Sequence, residues 1–263
     1  MIPKKIHFVW FGRNPLDELT LKCIESWKKY CPDYEIKKWD ENSFDFSINL
    51  YAKEAYSAKK WAFVSDYARL KILYDEGGIY LDSDMEILKN LDIFLKNELF
   101  AGFEGDKFIN AAILGSVKSH PILKQMLKSY ENDKFILDSN LYNERTIVER
   151  FSKILKSNSF KLNNKTQIIN KVAIYKSDFF YPKNLEKNTI YITENSASIH
   201  HFSSSWYSKF STKKSKSLAK LKAVFGNKLG LLLYRFYSIY LYIKEYGFKK
   251  FLALLVKKIK DRI

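Results

Sequence analysis

Asp82 and Asp84 are carboxylates separated by the single residue Ser83, at the end of the short apolar run Ile79-Tyr80-Leu81. If that run is a β-strand, alternation points both to the same side. Like charges placed so repel unless a cation sits between them. Hard divalent cations such as Mg²⁺ and Mn²⁺ take oxygen ligands and are often held by one or two carboxylates plus a substrate's phosphates. A cation there would neutralise the charge on a departing diphosphate. Further ligands are on offer late in the chain, in His200-His201-Phe202-Ser203-Ser204-Ser205-Trp206. The two histidines read equally well as a partly buried pair in a strand. Asp66 and Arg69 are three apart, so they would share a helix face. On their own they amount to a surface ion pair worth about 0–1 kcal/mol.

The elements that must carry these residues can be read outward from them. Ala62–Tyr74 has apolar residues at Phe63, Tyr67, Leu70 and Leu73-Tyr74, the spacing of one helix face. Gly77-Gly78 ends that helix, because glycine accepts the left-handed conformation a helix C-terminus often needs. Upstream, Lys4–Phe11 reads as a strand, buried on both faces and therefore central and parallel. Leu16–Tyr30 follows as a helix, Cys31-Pro32-Asp33 as a break and Tyr34–Trp39 as a second strand. This strand–helix–strand unit predicts a parallel sheet. Asp40–Lys60 is helical or irregular. Met85–Leu95 leads through a strand or turn to a short helix. Phe100–Phe103 and Ile109–Leu114 are strands about the polar turn Glu104–Lys107. Pro121–Tyr130 and Asn143–Leu155 are helices, Pro121 suiting a first helical position. Ile168–Tyr175 and Thr189–Ile192 are strands, and Ala197–Phe202 leads into the histidine segment.

The chain has 263 residues, 46% of them hydrophobic, which suits one large α/β domain or one with an appendage. Its two cysteines, Cys23 and Cys31, come without a secretion signal and predict free thiols in a reducing, cytosolic setting. The first residues do not read as a signal peptide, and no long uncharged apolar run predicts a transmembrane helix. Net charge is +16, unevenly placed: from Tyr207 on there are 15 Lys and Arg against 2 Asp and Glu, so that segment holds +13 of it. The reading is therefore two parts, a 1–206 catalytic domain and a 207–263 basic amphipathic helical tail. In the tail Phe248, Phe251, Leu252, Leu255 and Ile259 form an apolar stripe flanked by lysines, the pattern of a helix on an anionic membrane surface. Packing of that stripe on protein is the competing reading. No recognition motif accompanies the charge, so nucleic acid is not expected as a partner.

Four segments, in order, resemble glycosyltransferase family 32. They are Ile2–Trp10, Ser65–Arg69 with Gly77–Asp84, Asn110-Ala111, and His201 through Ser204 to Trp206, together spanning residues 1 to about 206. The resemblance implies a GT-A fold: a Rossmann-like, mixed, mostly parallel sheet flanked by helices. The basic helical appendage would be extra. It implies a metal-dependent sugar transferase using Mn²⁺ or Mg²⁺ and a nucleotide-sugar donor. UDP is favoured because Val9-Trp10 matches the base-holding motif of related toxins; stacking on a tryptophan is worth roughly 1–3 kcal/mol per base. It implies that Asp66 and Arg69 contact the donor sugar, that Tyr80 and Asp82 touch its ribose or phosphate, and that Asp84 binds the metal directly. Asn110 would offer a polar group to donor or acceptor. His201 and Ser204 would complete the metal shell with Asp82 and Asp84, and Trp206 would close over the diphosphate. His201 departs from the toxin relatives, which have a carboxylate there; His200 replaces it if the register slips by one. Retention of configuration is implied, and since no carboxylate nucleophile stands out, same-face attack is the expectation.

The expected acceptor is a lipid-linked glycan of capsule or surface polysaccharide, at the inner face of the plasma membrane. Acceptor contacts are expected from loops such as Glu104–Lys107 and Asp133–Asn143; oligomeric state is left open. Two alternatives stand beside this. One is a toxin-like protein glycosyltransferase. The other is a membrane- or polyanion-binding module with a decayed site, against which the intact Asp66, Arg69, Asp82, Asp84 and Trp206 argue.

Overall fold

The computed structural model describes residues 1–137, 141–184, 189–203, 209–248 and 251–252. Two compact units form: Met1–Phe135 with Glu144–Ser203, and Ile136–Asn143 with Ser204–Ile263.

The first unit is built on β1 (Lys5–Val9), α1 (Glu18–Tyr30), β2 (Glu35–Trp39), α2 (Leu50–Ser57), α3 (Trp61–Glu76), β3 (Gly78–Leu81), β4 (Met85–Ile87), β5 (Leu99–Glu104) and β6 (Phe108–Ser116). It continues through α4 (Pro121–Lys128), α5 (Ile147–Ser157), β7 (Gln167–Ile169), β8 (Val172–Tyr175), α6 (Ser177–Phe180), β9 (Lys183–Asn184), β10 (Thr189–Ile190) and β11 (Ser198–His200). Among the described residues the main sheet has seven strands in the order β2-β1-β3-β6-β5-β8-β7. β1 is parallel to both β2 and β3, and β5 to β8; β6 and β7 run against their neighbours. Five strands thus share one direction, the mixed, mostly parallel α/β sheet that the sequence predicts. Ile6–Val9 are buried, as a strand covered on both faces must be.

Helix α1 begins where the Asp17 side chain accepts from the Thr20 N–H at 2.8 Å. Its buried Trp27 donates an indole hydrogen bond to the Met85 carbonyl at 2.7 Å, tying α1 to β4. Cys23 and Cys31 are buried free thiols. Burial pushes their pKa values up to about 12 and about 11, so both are held as unreactive thiols.

α3 is buried more widely than one amphipathic face predicts: Val64, Ala68 and Ile72 are covered as well as Phe63, Tyr67, Leu70 and Leu73. It packs against α2, α4 and β1, so it is an interior helix. Gly77 (φ 69°) and Gly78 (φ 106°) then turn the chain into β3. A Cβ on Gly77 would lie 2.9 Å from the Lys118 nitrogen, and one on Gly78 2.9 Å from the Lys5 carbonyl, so only glycine fits either place.

Several sequence boundaries need correction. The first strand stops at Val9, and Asp40–Lys60 holds a 3-10 turn (Phe46–Ile48) and α2. α5 starts at Ile147, because the Thr146 side chain caps it by accepting from Glu149 N–H at 3.3 Å. Ile168–Tyr175 is not one strand but the antiparallel hairpin β7–β8. Asn170 (φ 47°) and Lys171 (φ 61°) form its two-residue turn, in the left-handed conformation such turns demand. Thr189–Ile192 is a strand only over Thr189–Ile190.

In the second unit α7 (Lys209–Tyr246) is kinked at Gly226 (φ 73°). Most of the Phe248–Ile263 stripe lies outside the described residues. Among those described, no helix is long and apolar enough to cross a membrane.

Candidate active site

The helix α3, the glycine turn and β3 deliver four of the sequence-predicted residues to one network. Arg69, buried, places Nη2 3.1 Å from Asp66 Oδ1 and 3.2 Å from Asp82 Oδ1. Its Nη1 donates to the Ala111 carbonyl at 2.9 Å and its Nε to the Ser65 carbonyl at 3.2 Å. The guanidinium lies over the Tyr80 ring, 4.6 Å from its centre, and the Tyr80 hydroxyl donates to Asp82 Oδ1 at 3.0 Å. Asp66 also accepts from the Ile147 N–H at 3.1 Å, an unpaired donor at the start of α5 where the helix dipole favours an anion. Burial pushes the Asp66 carboxyl up to about 6, against the pull of Arg69 and that N–H. Burial likewise raises Asp82, with Arg69 opposing. This ion pair is thus no surface pair: its members are fixed and largely dry.

A break in the β5–β6 ladder feeds the same network. The register shifts between Phe100, paired with Gly115, and Gly102, paired with Asn110. Backbone groups between Asn110 and Leu114 are thereby released toward β5. Ala111 O accepts from Arg69, and Ile113 N–H donates to the Tyr181 hydroxyl at 3.2 Å. On the other edge of β6, Ala112 O accepts from the Asp82 N–H at 2.7 Å and carries the β3–β6 pairing one residue past Leu81 and Ile113. Asn110 holds the segment by accepting from Ala112 N–H at 2.8 Å, and its amide donates to Glu104 at 2.5 Å.

Past Asp82 the chain turns, Met85 N–H to Asp82 O at 2.9 Å, and β4 pairs antiparallel with β11. That pairing brings the late segment to Asp84. His200 Nε2 lies 3.1 Å from Asp84 Oδ1, and Ser203 N–H donates to Asp84 Oδ2 at 2.7 Å. Burial works against the charge on Asp84, but His200 and Ser203 outweigh it and hold the carboxyl well below its usual range. Ligand atoms of Asp82, Asp84 and His200 all lie within 4.8 Å of one another.

His201 does not join them. Its Nε2 lies 2.7 Å from Glu86, which also pairs with Lys22 at 2.9 Å. Alternation along β11 explains the swap, since adjacent residues of a strand face opposite ways. The histidine facing the carboxylates is therefore His200, correcting the expectation for His201. Ser204 and Trp206 lie outside the described residues. Val9 and Trp10 sit at the end of β1, with the Trp10 indole donating to the Asn14 carbonyl at 2.7 Å, in a hydrogen-bond set apart from the carboxylate network. Two participants the sequence did not single out are Tyr181, whose ring is 5.9 Å from that of His200, and His7. His7 is fully buried; it accepts from Trp39 Nε1 at 3.1 Å and so donates from Nε2 to the Gly77 carbonyl at 2.9 Å. Neither residue has a spacing signal that sequence patterns detect.

Buried, preorganised carboxylates and an imidazole at the end of the central strands, with Arg69 fixing Asp66 and Asp82, form a group that could hold a divalent cation. A family model described as "glycosyltransferase sugar-binding region containing DXD motif" matches residues 17–101, the stretch holding Asp66, Arg69, Tyr80, Asp82 and Asp84. The uncharacterized glycosyltransferase L373 of Acanthamoeba polyphaga mimivirus is 30% identical over 227 residues, covering 78% of this chain and 84% of that protein. The chain belongs to this family of DXD-containing glycosyltransferases, and it is a sugar-transferring enzyme. Inositol phosphoceramide mannosyltransferase 3 of Schizosaccharomyces pombe is 29% identical over 136 residues, 49% of this chain and 37% of its own. Among solved structures, PaToxG glycosyltransferase is similar at 20% identity and a TM-score of 0.47, over 60% of this chain and 69% of that one.

Proposed function

We propose that the chain moves a sugar from a UDP-sugar to a glycan acceptor, with retention of configuration and with a bound Mn²⁺ or Mg²⁺. The observation that carries this is the Asp82–Asp84–His200 cluster, whose ligand atoms lie within 4.8 Å of one another. Two carboxylates and an imidazole fit Mn²⁺, which accepts oxygen and nitrogen donors alike. Asp84 is the principal ligand because it is the most firmly ionised; Ser204 remains a candidate from the sequence. When bound, the cation supplies charge neutralisation to the leaving diphosphate.

The chain's own residues do the rest. Arg69 is matched by Asp66 and Asp82, so its role is to fix Asp82 and Tyr80 against the donor rather than to add net positive charge. Asp66, clamped by Arg69 and by the α5 N–H, presents a rigid acceptor to donor-sugar hydroxyls. The family resemblance assigns Val9 and Trp10 to the base and Trp206 to the diphosphate. Attack comes from the face the leaving group departs, with no covalent sugar–enzyme bond.

Asp84→Asn keeps the side chain's size and tests this directly. Calorimetry with UDP and Mn²⁺ is expected to show affinity at least about 100-fold weaker, near 2.7 kcal/mol, with transfer abolished and the melting temperature little changed. Metal-dependent UDP binding equal to wild type would end the reading.

The acceptor we propose is lipid-linked, as in surface-polysaccharide assembly, and reached from the inner face of the plasma membrane. An S. pombe relative whose name specifies a ceramide lipid agrees with this. On α7, Leu229, Leu232, Phe236 and Tyr240 recur three and four apart and are all exposed, in a run that carries Arg235 and is flanked by Lys228 and Lys244, after a lysine-rich segment that precedes the Gly226 kink. The full chain is expected to float with anionic liposomes and a chain ending at Trp206 is not; equal flotation would remove the membrane claim.

A further inference from the structure

The β5–β6 hairpin carries a carboxylate to which the donor-site reading gives no role, at the start of a loop the sequence marks for acceptor contacts. Glu104 ends β5 and is half-buried, and Asn110 donates to its Oε2 at 2.5 Å. Among the described residues no lysine or arginine pairs with it. In the hairpin register Glu104 is opposite Phe108, and Gly102 opposite Asn110. Cross-strand partners project on the same face, and residues two apart do also, so Glu104, Phe108 and Asn110 share one face. Phe108 is 54% exposed there, at a place where a hairpin strand would otherwise present a polar side chain.

That face is the one turned to the rest of the site. A Cβ on Gly102 would meet the Phe180 ring at 2.7 Å and the Tyr181 ring at 3.2 Å, so the face packs on α6 and Tyr181. Tyr181 in turn neighbours His200, and its hydroxyl lies within electrostatic reach of Glu104, Asp82 and Arg69 alike. Asn110 is the joint between the two regions. Its carbonyl oxygen braces the segment that holds Arg69, and its amide holds Glu104.

Charge decides what such a place would take. A carboxylate with no cation beside it repels a diphosphate and accepts hydrogen bonds from a neutral, hydroxyl-rich ligand. An exposed aromatic ring next to it offers an apolar surface. A pyranose has both complements, an apolar C–H face and a rim of hydroxyls. Resting on the glycosyl-transfer reading of the adjacent cluster, we infer that Glu104 and Phe108 form the acceptor-sugar subsite, where an acceptor pyranose lays its C–H face on Phe108 and donates a hydroxyl hydrogen bond to Glu104. Asn110 is then a positioning residue for both substrates, aligning Glu104 on one side and the Arg69 carbonyl ligand on the other.

Saturation-transfer NMR with methyl glycosides of glucose, galactose and mannose tests the subsite with no donor present. At least one glycoside is expected to bind the full-length wild type in the millimolar range. Phe108→Ala is expected to weaken it by about tenfold and Glu104→Gln by about fivefold, with UDP and Mn²⁺ affinity within about twofold of wild type. Both side chains are at least partly exposed, so melting temperatures should hold, and the Gln variant keeps the size of the residue it replaces. Glycoside binding that follows these variants in a protein that fails to bind UDP would support the subsite and sink the donor reading. No glycoside bound by wild type, or binding unchanged in both variants, would overturn the subsite. So would a loss of UDP affinity in parallel with glycoside affinity, since it would place both residues in the donor site.

Discussion

Asp82 and Asp84 are two residues apart, yet they belong to regions built in different ways. Asp82 is held from its own neighbourhood: Arg69 and Tyr80 lie on the helix and strand immediately before it. Asp84 is held from afar, by the Ser203 N–H 119 residues on and by His200. The first region is an ion-pair lattice whose charges already satisfy one another. The second keeps a firmly ionised carboxylate whose companion is an imidazole, a ligand that can be given up to a metal. On the proposed reading the difference teaches a division of labour: the lattice around Asp82 fixes geometry, and the end at Asp84 and His200 exchanges its partner for a metal that Asp82 also reaches.

Removing the shared cation should show the scaffold side most strongly. Arg69→Leu leaves Asp66 and Asp82 buried without a partner, which costs about 3–5 kcal/mol of stability in chemical denaturation. A loss below about 1 kcal/mol would mean that the lattice is wetter than its burial implies. The turn between helix and strand comes next. Gly78→Ala forces a Cβ against Lys5 O and His7 at φ 106°, and should cost about 2 kcal/mol. An unchanged denaturation midpoint would show that the turn relaxes freely and does not fix the β3 carboxylates.

The smallest effect concerns His7, which ties β1 to that turn. Burial is the main cause holding its pKa below the ordinary 6.5, with the Gly77 carbonyl and Glu76 opposing. The unfolded chain therefore gains a proton below 6.5 that the folded chain refuses. This contribution to stability is fully present above 6.5 and declines as pH falls, by at most about 1.4 kcal/mol per pH unit. His7→Gln should flatten the pH dependence of stability in that window. A slope identical to wild type would show that His7 takes up its proton in the fold.

The same division governs what could be read in advance. The Asp66–Asp84 stretch was legible because helix period, glycine stop and strand lie in one continuous run, and local spacing dictates local geometry. That the first strand is central and parallel was legible from the mostly apolar segment ending at Val9, but the strand order was not, because it depends on which distant segments pair. Which histidine meets Asp84 was not legible, because one residue of register in β11 exchanges His200 for His201, and that register is set by pairing with β4. Glu104's tie to Asn110 was hidden for a similar reason, as the displaced register of β5 and β6 leaves no periodic trace. The Asn170-Lys171 turn was missed because Lys171 is an unusual residue for a left-handed position. His7 looked like one more strand residue, and only the fold shows it bonded to Gly77.

Calorimetric titration of UDP with Mn²⁺ into wild type, His200→Ala and His201→Ala tests the division of labour most directly. The account predicts metal-dependent binding weakened at least about tenfold in His200→Ala and within about threefold of wild type in His201→Ala. Binding intact in His200→Ala and lost in His201→Ala would contradict it.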